Sequence, residues 1–178
     1  MRKIIDRWML SGYAKKDKIL VGPGWVWLTS RGLRLVGLPY RVYEPSVTAL
    51  EHLHAISRIR MRVEQSEKYH LMEWKPEREL RYRLEQWLRE AREQGRTGHR
   101  NHLPDAELVS EQERIGIEVE LTAKSVERTR AIMQDLIGRY DKVWYFVSKA
   151  ARASIERAWK GLDGTAQIKV GLQEYGDE

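Results

Sequence analysis

Apolar positions recur along this 178-residue chain with two periods, three-to-four and two, and each change of period marks an element. Ile4, Ile5, Trp8 and Met9 fall on one side of a short helix over 3–11, which Gly12-Tyr13 closes. Lys18-Ile19-Leu20-Val21 and Trp25-Val26-Trp27-Leu28 are β-prone runs flanking Gly22-Pro23-Gly24, a turn signal that predicts a hairpin. Thr29-Ser30 then caps a short segment over 31–36, ended by Gly37. A helix followed by a basic hairpin is the pattern of the second half of a winged helix, and the two helices of the first half have no counterpart ahead of it. Pro45-Ser46 opens a long helix to about 64, with Ala49, Leu53, Ile56, Ile59 and Val63 as its core stripe and Glu51, Arg58 and Arg62 on another flank.

Residues 69–74 predict a strand, and 76–93 a charged helix burying Leu80, Leu84, Trp87 and Leu88. Residues 94–101 form a loop. Beyond it the pattern alternates in type. Strands over 105–110 and 114–122 are joined by a polar turn, and a helix over 125–137 follows, capped by Ser125, with Thr129, Ile132, Met133, Leu136 and Tyr140 facing inward. Val143-Trp144-Tyr145-Phe146-Val147 is wholly apolar, as a strand covered on both faces must be. A helix over 149–160 after Ser148 and a half-exposed strand with Ala166, Ile168, Val170 and Leu172 on one face complete the chain. Strand–helix–strand–helix–strand predicts parallel pairing.

Charge sharpens this picture. Nine of the 32 Lys and Arg, but only three of the 26 Asp and Glu, lie in residues 1–45. The whole net charge of +6 is therefore concentrated there, and the rest of the chain is balanced. A concentrated basic excess attracts polyanions through counterion release, and a solubilising face accounts for it equally well. With no Cys, a disulfide framework, a thiolate zinc site and a cysteine nucleophile are excluded. Asp6 and Arg7 interrupt the first apolar run, so no secretory signal is expected, and no run is long and apolar enough to span a bilayer. A cytoplasmic protein without a membrane partner is the expectation.

The candidate chemistry lies on 114–122. With Ile115, Ile117, Val119 and Leu121 facing the core, Glu118, Glu120 and Thr122 share the opposite face, with Lys124 just beyond. Asp105 and Glu107 share a face of the preceding strand, so pairing brings Asp105 towards Glu118 and Glu120, with Gly116 leaving room over the same face. Three hard oxygen ligands suit Mg²⁺, which can lower the pKa of a bound water and stabilise charge on a phosphodiester. Ordinary amphipathic alternation on a half-buried strand gives the same pattern. His52 and His54 lie two apart on a helix and point in different directions, with His54 a core or capping residue. His99 and His102, near Asp105, could bind a phosphate or assist proton transfer. Trp25 and Trp27 pack the hairpin or stack on bases. Neither a phosphate-binding loop nor a nucleophile elbow is found.

Leu103-Pro104-Asp105-Ala106, the run from Ile115 through Glu118, Glu120 and Lys124 to Ser125, and the run from Tyr140 to Val147 resemble the plasmid replication-relaxation proteins. Trp25-Val26-Trp27-Leu28-Thr29-Ser30-Arg31-Gly32-Leu33 and the helix around His54 are similar to the same family, so the likeness runs from about Tyr13 to Leu172. The resemblance implies a DNA-associated protein of a mobile element that pairs a winged helix with an α/β domain. That domain would have the PD-(D/E)xK nuclease-like mixed sheet flanked by helices. Its α-β-β-β-α-β core would comprise the helix over 46–64, three strands ending at Thr122, the helix over 125–137 and the strand over 143–147. Residues 1–45 would be a partial winged-helix and basic hairpin segment, since family members carry two more helices before it, and 46–178 the nuclease-like domain.

In that motif Asp105 matches the first metal-binding acid and Glu118 the second. Glu120 stands where the usual Lys would be, an E-x-E version that some restriction enzymes share, and Lys124 follows four residues later on the same face. Glu51 matches the acid that some of these nucleases place on the first helix. The expected catalytic set is therefore Asp105, Glu118, Glu120 and Lys124, with Mg²⁺ held by the three acids. Lys15, Lys16, Lys18 and Arg31 would contact DNA. Further partners would be a second copy of the chain, as a homodimer, or replication and mobilisation proteins of the element. Two other readings stand beside the endonuclease: a catalytically inactive DNA-binding or regulatory accessory factor, and an interaction module whose basic face meets an acidic protein.

Overall fold

The structure, a computed structural model, describes residues 2–18, 24–42, 44 and 46–176. It divides into two compact units, Met1–Glu51 and His52–Glu178, the division falling inside one helix.

In the first unit, α1 (Arg2–Leu10) ends where Gly12 takes a φ of +70°, a conformation that costs glycine little, and Tyr13 N–H returns to the Trp8 carbonyl at 2.8 Å. Strands β1 (Ala14–Asp17) and β2 (Trp25–Leu28) pair antiparallel, Ala14 opposite Leu28 and Asp17 opposite Trp25. The second strand is where the sequence predicts it. The described first strand ends just before Lys18, whose N–H is accepted by the Asp17 carboxylate at 2.7 Å. The run Ile19-Leu20-Val21, the Gly22-Pro23 turn and Pro45 lie outside the described residues. Thr29 caps α2 (Ser30–Leu35): its hydroxyl accepts the Gly32 N–H at 3.1 Å and donates to the Gly12 carbonyl at 2.7 Å. Position 32 has to be glycine, because a Cβ would sit 2.1 Å from the Tyr13 carbonyl oxygen.

The second unit is α/β, a five-stranded mixed sheet flanked by helices. Along the chain α3 (Val47–Glu64) is followed by β3 (Glu73–Pro76), α4 (Glu77–Glu93), β4 (Ala106–Val109), β5 (Arg114–Glu120) and α5 (Val126–Ile137). Then come β6 (Lys142–Val147), α6 (Lys149–Lys160), α7 (Gly164–Lys169) and β7 (Val170–Glu174). The strands lie in sequence order, with β3, β4 and β5 antiparallel to their neighbours and β5, β6 and β7 parallel. One face packs Ile115, Ile117, Val119, Trp144 and Phe146 against Ala55, Ile59 and Val63 of α3. The other packs Val143, Tyr145, Val147 and Val170 against Met133, Leu136, Ala151 and Ile155 of α5 and α6. Ser125 and Ser148 cap α5 and α6 as the sequence predicts, each hydroxyl accepting a first-turn N–H at 3.2 Å. No helix among the described residues is long and apolar enough to cross a membrane.

Several elements depart from expectation. The strand expected over 69–74 begins only at Glu73, because backbone bonds to the Ser66 carbonyl hold Tyr69 and His70 in turns. In α3 the buried line is Ala55, Ile59 and Val63, with Leu53 and Ile56 only half-buried beside it. In α4 Leu80, Leu88 and Ala91 are buried, whereas Trp87 is 44% exposed. The alternating run over 166–172 is largely helical. Asp163 caps it by accepting the Ala166 N–H at 2.9 Å, and only from Val170 does parallel pairing with β6 take over. Ile168 is consequently exposed rather than packed on a sheet face.

Candidate active site

The site is built on the pairing of β4 with β5. Ala106 faces Ile117, so one step earlier Asp105 comes opposite Glu118. The Asp105 carboxylate continues the ladder itself, its Oδ2 accepting the Val119 N–H at 2.8 Å. Its Oδ1 meets His52 Nε2 on α3 at 2.9 Å. The parallel pairing of β5 with β6 then sets Tyr145 beside Glu118 and Val147 beside Glu120 on the same sheet face. Strand alternation and register thus put Glu118, Glu120 and Tyr145 on one sheet face, with Asp105 at the end of the neighbouring strand.

Each acid has a basic partner. Glu118 Oε1 lies 2.9 Å from His102 Nε2, and Glu120 Oε1 accepts from Lys124 Nζ at 2.7 Å. Lys124 stands past the end of β5, and its side chain reaches back to the strand it follows. Glu118 and Glu120 are buried to within 4% and 3% of full occlusion, while the side chains of His52 and His102 remain 37% exposed. The more exposed member of each pair is therefore the base: an imidazole beside Asp105 and Glu118, and Lys124 beside Glu120. Among the described residues no three His, Cys, Asp or Glu side chains stand as a ready-made set around one metal ion. Their donor chemistry nevertheless suits a hard divalent cation, being carboxylate oxygen throughout.

Burial raises the Glu118 carboxyl to about 7, reinforced by the charges of Asp105 and Glu120 and opposed by the His102 hydrogen bond. His102 is raised in turn, chiefly by its bond to Glu118, and His52 chiefly by its bond to Asp105. Glu118 and His102 thus form a hydrogen-bonded acid–base pair, both raised, with the imidazole on the solvent side. Such a pair can give up or take a proton at the exposed imidazole. The Tyr145 phenol is buried and raised well above its ordinary value, first by burial and then by Glu118, Glu120 and Asp105.

Other expected residues fall elsewhere. Glu107, on the same face as Asp105, is taken by Arg114 at 2.9 Å and by the Tyr140 hydroxyl at 3.1 Å. The space expected over Gly116 is filled by the Tyr140 ring, 3.2 Å from where a Cβ would stand. His54 is exposed rather than in the core, and Glu51 is exposed one residue before the histidine that reaches Asp105. Lys15, Lys16, Lys18 and Arg31 are all exposed in the first unit, Lys15 bonded to Glu44 at 2.7 Å and Arg31 5.0 Å above the Tyr13 ring.

Two site residues escaped the sequence reading. His52 sits on a helix, where direction depends on how the helix packs, and only the face chosen by Ala55, Ile59 and Val63 turns it to Asp105. Tyr145 is hidden within an apolar strand, and its one signal is a hydroxyl between Val143 and Val147 on that face of β6. Comparison of the chain with known protein families, curated proteins and solved structures finds no match.

Proposed function

We propose that the protein is a DNA-associated factor of a mobile element, of the plasmid replication-relaxation type, and that its α/β unit is a Mg²⁺-dependent endonuclease. The observation that carries this reading is the gathering of Asp105, Glu118 and Glu120 on one sheet face by the β4–β5 register, with a half-exposed His on two of them. The order α3–β3–β4–β5–α5–β6, with α4 inserted between β3 and β4, β4 antiparallel to both its neighbours and β6 parallel to β5, supports the PD-(D/E)xK resemblance.

Asp105, Glu118 and Glu120 would hold the cation. A bound Mg²⁺ supplies positive charge that acidifies a water and stabilises the phosphodiester in the transition state. The protein's own part is positional. The Val119 N–H fixes one Asp105 oxygen, so that acid is oriented before any ligand arrives. His102, half-exposed beside Glu118, can take a proton from the attacking water or pass one to a leaving oxygen. Lys124, at the mouth of the site, offers its ammonium to a phosphate. Lys15, Lys16, Lys18 and Arg31 would bind backbone phosphates, since they are exposed on a hairpin and helix of basic character.

A cleavage assay tests this reading: plasmid DNA should be nicked in Mg²⁺ or Mn²⁺ by the wild type and not by Glu118→Ala. One observation favours a second reading, a nuclease-like factor that binds DNA without cutting it. Each of the three acids is already matched to a basic side chain of the protein's own, as in a structural charge network. Salt-sensitive DNA binding with plasmid left intact across both metals would decide for that reading.

A further inference from the structure

On the sheet face opposite Glu118 and Tyr145, a cleft of about 320 Å³ opens between the last turns of α3 and strands β6 and β7. Its floor is aromatic, made by Trp144 and Phe146, and Tyr69 stands edge-on to Trp144 with the ring centres 4.8 Å apart. Gly171, the register partner of Trp144, gives the indole its room, for a Cβ there would lie 3.3 Å from the ring. Polar groups line the mouth. Arg62 and Ser66 come from α3 and the turn after it, and Gln173 rises beside its register partner Phe146. Lys68 lies over the outer ring, its Nζ 5.1 Å from the centre of Tyr69. Among the described residues neither Arg62 nor Lys68 has a carboxylate partner, while Glu174, the acid at the rim, is engaged by Arg152 at 3.4 Å.

Each wall restricts the occupant. The volume lies at the small end of the range of ligand sites, about 300–1,000 Å³, with room for one ring system and a phosphate and too little for a folded partner. Aromatic rings favour a flat heterocycle, which stacks on them or meets them edge to face. A guanidinium and an ammonium without acids favour an anion, and the planar fork of Arg suits phosphate. The Gln173 amide offers a donor and an acceptor side by side, which matches the N6 and N7 edge of adenine and not the paired acceptors of guanine. We propose that the cleft binds an adenine mononucleotide, its ring on Trp144 and Phe146 with its edge on Gln173, and its phosphate on Arg62 and Lys68. The site is on the opposite sheet face from Glu118 and Glu120 and is independent of what those acids bind.

The test is calorimetric titration of the full chain with AMP, UMP and adenosine, in the wild type, Arg62→Glu and Gln173→Leu. Both positions are exposed, so the fold is kept. The wild type should bind AMP more tightly than UMP. Arg62→Glu should weaken AMP by about tenfold or more and leave adenosine unchanged, since only the phosphate contact is lost. Gln173→Leu should remove the preference for AMP over UMP. A wild type that binds no AMP at millimolar concentration overturns the proposal, as does AMP binding that Arg62→Glu leaves unchanged. Equal affinity of the wild type for AMP and UMP, or a preference that survives Gln173→Leu, also overturns it, for the amide would then read no base. Binding of single-stranded DNA with none of AMP overturns it too.

Discussion

Glu118 brings an ionisable group into the covered interior of the sheet, and the consequence is a stability that depends on pH. In the unfolded chain its carboxyl titrates near 4.5, and in the folded protein burial holds it at about 7, so between those values the folded state binds the extra proton. His102 acts in the same direction, because its raised value keeps its stabilising charge to a pH above the ordinary 6.5. Stability should therefore fall as pH rises from about 4.5 through 7. Glu118→Gln should flatten that slope, which denaturant unfolding across the pH range will show. The residues behind this behaviour were legible unequally. Asp105, Glu118 and Glu120 could be found because a strand has a period of two and the turn between the strands fixes their register. His52 and Tyr145 could not, since their roles depend on how α3 settles on the sheet and on the β5–β6 register, which are tertiary outcomes.

At the scale of elements, capping decides several boundaries. Ser148 accepts the Ala151 N–H at 3.2 Å and donates to the Leu121 carbonyl at 2.7 Å, so one hydroxyl both starts α6 and ties it to the end of β5. Ser148→Ala should lower stability by about 1–2 kcal/mol, and thermal or denaturant melting will measure it. In the first unit Gly32→Ala should be more damaging than an ordinary helix substitution, for its Cβ would meet the Tyr13 carbonyl at 2.1 Å. Loss of the α2 signal in hydrogen exchange, with the α/β unit protected as before, is the expected outcome. Most elements could be read in the sequence from caps or sustained patterns: α1, β2, α2, α3, α4, β4, β5, α5, β6 and α6. The run over 166–172 could not, because four alternating apolar residues fit a half-exposed strand as well as a helical turn until Asp163 caps the turn.

At the scale of the molecule, charge and chemistry are divided along the chain. The whole basic excess belongs to residues 1–45, and the buried acids belong to the α/β unit. DNA affinity should accordingly weaken steeply with salt. Reversing Lys15, Lys16 and Lys18 to Glu should reduce the slope of log affinity against log salt by about 3, roughly one unit for each phosphate contact removed. Fluorescence anisotropy at several salt concentrations will measure it, and an unchanged slope would contradict the proposed role of these lysines in binding DNA. The most direct measurement concerns the acids themselves: anomalous diffraction from crystals soaked in Mn²⁺ as a surrogate for Mg²⁺. The account predicts a peak between β4 and β5, about 2.0–2.2 Å from oxygens of Asp105, Glu118 and Glu120. Carboxylates still bonded to His52, His102 and Lys124, with no peak between them, would contradict it.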